Sequence, residues 1–77
     1  MNNVFKSYPE RHLQNVEGSR LSYARAGIFQ RPDGKEEPAV VLFRDRFCLA
    51  VLTAEDAYRI ADQIIDALEN PAIRNTP

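Results

Sequence analysis

Few residues in this chain belong to the types that catalysis or metal binding requires, and their spacing argues against both. Cys48 is the single cysteine and His12 the single histidine, so an intramolecular disulfide is impossible and no zinc-site spacing exists. A nucleophilic thiol needs a nearby base and an accessible, electropositive setting. Cys48 instead sits within the apolar run FCLAVL, which predicts a small buried hydrophobe that labels slowly until the protein unfolds. His12 lies in a polar stretch with no suggestively spaced carboxylate or hydroxyl and reads as a surface histidine. Asp62 and Asp66 share a helix face at i, i+4, but two carboxylates alone make a poor cation site, and a solvated acidic face is the simpler reading. No Gly-rich phosphate loop, Gly-x-Ser-x-Gly elbow or His-Glu-x-x-His motif occurs. The expectation is a protein that is not an enzyme, with no catalytic residues, cofactor or metal.

Charge offers one further site. Ten basic and eleven acidic residues give a formal net charge of −1, so the global field favours neither nucleic acid nor membrane. The distribution is less even than the sum. The segment 54–69 carries five acids and one arginine, leaving nine basic and six acidic residues elsewhere. Arginines flank or punctuate the strand-like segments with aromatics between them, which marks Tyr23, Arg25, Phe29, Arg31, Arg44 and Arg46 as the candidate interaction surface. Arginine beside aromatic rings can pair with phosphates and stack on bases; an arginine-rich surface over core aromatics is the plainer alternative, and the balanced charge is unlike that of most DNA-binding modules.

The elements that must position these residues centre on 38–69, which reads as strand, tight turn, strand and capped helix. Upstream, residues 21–29 (LSYARAGIF) form a predicted strand whose Ser22, Ala24, Ala26 and Ile28 set is small and suited to close contact with a helix. Gly27 marks a weak point or bulge. Pro32-Asp33-Gly34 supplies turn chemistry for a hairpin. Strands are predicted over 39–44 and 46–52, with Pro38 opening the first. The break at Arg44-Asp45-Arg46 lacks an Asn-Gly or Asp-Gly pair, so a bulge or a slightly longer loop is expected. Thr53 is positioned to cap a helix over 54–69, with Glu55 and Asp56 favouring the positive end of its dipole. Ala57, Ile60, Ala61, Ile64, Ile65 and Leu68 make an apolar stripe, Glu55 and Arg59 form an i, i+4 pair, and Asn70-Pro71 ends the helix. Residues 9–17 fit either a short helix stopped by Gly18 or an extended segment, and Phe5 and Tyr8 are expected to anchor the N-terminal arm.

The fold class that follows is α+β: a three-stranded antiparallel meander (21–29, 39–44, 46–52) with a C-terminal helix (54–69) and a possible short N-terminal helix (9–17). Seventy-seven residues make one domain, 1–77, with 1–20 as an arm and 71–77 as a flexible tail. Such a chain buries only about 60% of its unfolded surface, so its core is marginal without a partner. The second and third strands do not alternate. Val40, Leu42, Phe47, Leu49 and Val51 would line one face and Val41, Phe43, Cys48, Ala50 and Leu52 the other, the pattern of a sheet covered on both sides. One helix covers one side. Either the N-terminal arm or a second copy of the chain must cover the other, and twofold dimers are the commonest assemblies. The N-terminus has no signal-peptide core and no apolar run nears the roughly 20 residues that span a bilayer, which predicts a cytoplasmic protein with no membrane partner.

Two resemblances bear on this. The segment 51–68, VLTAEDAYRIADQIIDAL, resembles a strand-to-helix ending of small uncharacterised actinobacterial and actinophage proteins. Leu52, Thr53, Ala57, Ile60, Ala61 and Ile64 match its Leu-Thr-x-x-x-Ala-x-x-Ile/Leu-Ala-x-x-Ile/Leu pattern. This covers about a quarter of the chain and implies a compact sheet-plus-helix domain with no activity. Thr53, Glu55 and Ala57, with Arg31-Pro32-x-Gly34-Lys35, also resemble three-stranded-sheet DNA binders of the plant ethylene-response and phage-integrase arm type. The tryptophans and Arg-rich reading strand of those domains have no counterpart here. The functional expectation is a non-enzymatic protein-interaction module, homodimeric, of the phage-type or accessory kind that modulates a host protein. The alternative is a small nucleic-acid-binding module using the arginine and aromatic sheet face.

Overall fold

A computed structural model describes residues 4–74. The fold is α+β. A 3₁₀ turn (Pro9–Arg11) leads into α1 (His12–Leu21), then β1 (Ser22–Gln30), β2 (Glu36–Arg44), β3 (Phe47–Thr53), α2 (Ala54–Leu68) and a final short turn of helix, α3 (Pro71–Arg74). The three strands form one antiparallel sheet in the order β1-β2-β3. No helix among the described residues is long and apolar enough to cross a membrane.

The hairpins follow their turn chemistry. Between β1 and β2, the Gly34 N–H donates to the Arg31 carbonyl and the Arg31 N–H to the Lys35 carbonyl, at 3.0 and 2.9 Å. Gly34 takes φ 86°, the left-handed residue that closes a three-residue loop. Asp33 accepts from the Lys35 N–H at 3.0 Å. Between β2 and β3 only Asp45 and Arg46 lie outside the ladder, and Asp45 takes φ 55°, a conformation that Asp tolerates better than most residues. The break at 44–46 is therefore a tight two-residue connection and not the bulged or longer loop expected there; the bulge lies inside β3, where Leu42 pairs with Ala50 and Phe43 with Cys48, leaving Leu49 extra.

That shift corrects the expected faces. Paired residues share a face, so Val40 and Leu42 stand with Leu52 and Ala50, while Val41 and Phe43 stand with Val51 and Cys48. Unbroken alternation through β3, which the sequence pattern predicts, would place Leu52 and Ala50 on the other face. Other boundaries move as well. β2 begins at Glu36, ahead of Pro38; β3 reaches only to the Ala39 level, so this end of β2 has a single neighbour and the missing proline N–H is tolerated. Gly18 does not stop the first helix, which continues to Leu21 and ends where the Ser22 hydroxyl donates to the Gly18 carbonyl at 2.7 Å.

At the start of α2 the Thr53 hydroxyl accepts from the Asp56 N–H at 3.1 Å, the cap its position predicts. Arg59 pairs with Asp56 (3.4 Å) in place of Glu55; both partners are half exposed, so the pair contributes at most a few tenths of a kcal/mol. Asn70 ends the helix and starts another turn, its side chain accepting from the Ala72 N–H at 2.9 Å. Residues 71–74 of the expected tail are therefore helical, and 75–77 lie outside the described residues.

Very little of this architecture is buried. Ala39 is the one buried residue among those described. The molecule measures 50 × 27 × 16 Å, with a Cα radius of gyration of 15.9 Å against about 11.5 Å for a compact domain of this length. The accessible surface is 7180 Å², where a compact monomer of the same size exposes about 4,800 Å².

Candidate interaction surface

The sheet presents two faces. On one, Tyr23 and Phe43 are cross-strand partners whose rings stack with centroids 5.3 Å apart and 15° between their planes. The Arg25 guanidinium lies 5.8 Å from the Tyr23 ring centre, within cation–π range. The Tyr23 hydroxyl donates to the Asp45 carbonyl at 2.7 Å, and the Asp45 N–H donates to the Leu21 carbonyl at 2.9 Å. The β2–β3 turn is thus tied to the junction of α1 and β1. Gly27 on this face is required by packing: a Cβ there would stand 2.6 Å from Val41 Cγ2.

The six residues expected to form one surface are only partly brought together. Tyr23, Arg25 and Phe29 alternate along β1 on the aromatic face. Arg31 lies at one end of the sheet, held by Glu37 at 3.0 Å and Asp33 at 3.5 Å. Arg44 and Arg46 lie at the other end, beyond the length of β2, about 27 Å away for nine residues. Arg44 pairs with Ser22 on the opposite face to Tyr23, its guanidinium beside Gly18 of α1. The arginines therefore make no continuous basic track.

Cys48 corrects another expectation. It is exposed, because β3 is an edge strand and no layer covers its face. The N-terminal arm does not supply that layer: Phe5, Tyr8 and Leu13 are all strongly exposed. His12 is exposed on α1, and Asp62 and Asp66 on α2. Among the described residues no group of three potential metal ligands converges.

The second face carries the feature that the sequence reading missed. Between the sheet and α2 runs an apolar groove of about 520 Å³, floored by Ala24, Val40, Leu42 and Leu52 and walled by Ile60 and Ile64. No charged side chain lines it. It exists because α2 packs on β2 and β3 through its first turns only. Ala57 and Ile60 are half-buried, whereas Ile64, Ile65 and Leu68 are 57%, 53% and 65% exposed. The apolar stripe continues past the point where its own sheet covers it. The small set Ala24 and Ala26 on β1 signalled a helix contact, but not that the chain's own helix falls short of it.

Comparison with protein-family models, with curated proteins and with solved structures finds no match to this chain.

Proposed function

We propose that this protein is a non-enzymatic protein-interaction module that acts as a homodimer. The observation that carries this reading is the surface it leaves bare. A chain that buries only Ala39 among its described residues and exposes about 2,400 Å² more than a compact monomer of its size has not completed its core. On the sheet and α2, Phe47, Leu49, Val51, Ile64, Ile65 and Leu68 all stay 45–69% exposed, apolar side chains of the kind an obligate interface buries. Neither a disulfide nor the N-terminal arm supplies the missing cover.

Dimerisation through the groove face leaves the aromatic face free. Tyr23, Phe43 and Arg25 there form a patch of the types enriched at protein interfaces, which suits contact with a further protein and the role of an accessory modulator. The nucleic-acid reading gains no support from the arrangement, since Arg31 is paired with acids and Arg44 and Arg46 lie at the far end of the sheet.

Sedimentation equilibrium from low to high micromolar concentration tests the reading. A dimer mass is expected throughout the upper range. A monomer mass at every concentration would remove the basis for it.

A further inference from the structure

We propose that the occupant of the groove is the second half of α2 from a second copy of this chain, the two copies exchanging these helix segments reciprocally. The inference rests on the homodimer reading and assigns its surface.

Two deficits within one chain point to this arrangement. The first is a stripe that its own sheet leaves uncovered: Ile64 borders the groove, Ile65 and Leu68 continue the apolar face of α2 past it, and all three stay more than half exposed. The second is a floor without a helix. Ala24 and Ala26 are small and apolar on the helix-facing side of the sheet, where they permit a helix backbone to come close, yet both are exposed. A twofold interface must use the same patch on both subunits, self-complementary about the axis. A patch holding one uncovered stripe and one uncovered floor meets that condition, because each copy provides what the other lacks. The chemistry agrees. The groove has no charged lining, so its occupant must be apolar, and the segment 64–68 presents isoleucine and leucine toward it. Asp62, Gln63, Asp66 and Glu69 remain on the outward side of the helix, in water. The groove also adjoins the half-buried Ala57 and Ile60, so the partner segment would extend the existing core, as an obligate interface does.

Isotope-filtered NMR on a mixture of ¹³C-labelled and unlabelled native protein tests this without any substitution. Intermolecular NOEs are expected from the methyls of Ile64, Ile65 and Leu68 to those of Ala24 and Ala26. A dimer whose intermolecular NOEs run instead along β3, or across the Tyr23–Phe43 face, would overturn the groove assignment and leave the homodimer reading standing. A monomer at NMR concentration would overturn both. A second measurement uses Leu68→Gln, at a position that the isolated fold leaves open. Its dimer dissociation constant is expected to rise at least about a hundredfold, since the change is felt twice in a twofold interface. An unchanged constant would sink the proposal.

Discussion

The two longer helices of this protein show what a helix owes to its sequence and what it owes to its neighbours. α1 has ten residues, no side-chain N-cap and no coherent apolar face; Leu13 is 81% exposed and Arg11 occupies the cap position without a capping bond. An isolated helix of that length is marginal in water. What holds α1 is its C-terminal end, where Ser22 bonds to Gly18, Arg44 lies beside Gly18 and Leu21 is tied to the β2–β3 turn. α2 has the opposite endowment. Thr53 caps it, Glu55 and Asp56 sit in its first turn, and six apolar residues lie along one side. Yet four of those six residues are exposed to water. The poorer helix is as complete as its sequence permits, while the better one lacks a surface to pack on.

The difference can be broken at named positions. The largest effect belongs to α2: if the proposed dimer buries Ile64, Ile64→Ala is expected to lower its unfolding free energy by about 2–4 kcal/mol per site, the cost of truncating a buried isoleucine. If Ile64 remained in solution as exposed as it is in the single chain, the loss would stay below about 1 kcal/mol, as for most surface changes. Urea unfolding distinguishes the two. Next comes the cap, where Thr53→Ala is expected to cost about 1 kcal/mol by the same assay. Gly18→Ala probes α1. Replacing a mid-helix glycine gains about 0.5–1 kcal/mol of local helix stability, and the nearest obstacle is the flexible end of Arg44 at 3.3 Å. Slower amide exchange in α1 without a shift of the main unfolding transition is the expected signature. The smallest effect is that of Leu13→Ala, within about 0.5 kcal/mol of the parent protein.

Much of the fold is legible in the sequence. The meander, the Pro32-Asp33-Gly34 turn, the Thr53 cap and the stop at Asn70-Pro71 each depend on local chemistry, and each is present. What escaped depends on non-local geometry. The faces of β3 were misassigned because the extra residue Leu49 shifts the register, and nothing in FCLAVL marks which residue is extra. The apolar run around Cys48 shows that cover is needed without showing that the chain provides it, so its exposure is not legible in the sequence. The Glu55–Arg59 pair gave way to Asp56–Arg59 because both spacings are geometrically open on a helix and the contact is weak. The candidate surface was legible as a set of residue types, but its six members depend on strand ends whose separation only the register determines. The groove lay furthest from view. The stripe of α2 and the alanines of β1 are both visible in the sequence, whereas the angle that parts them is not.

In the proposed dimer folding and association are a single equilibrium, and the concentration dependence of unfolding tests that most directly. If two chains complete one core, each tenfold increase in protein concentration adds about 1.4 kcal/mol to the apparent stability of the dimer. The urea midpoint should then rise by about 0.5–1.4 M per decade for a protein of this size. A midpoint that stays fixed over two decades of concentration would mean that the single chain is stable as it stands, and would contradict the account.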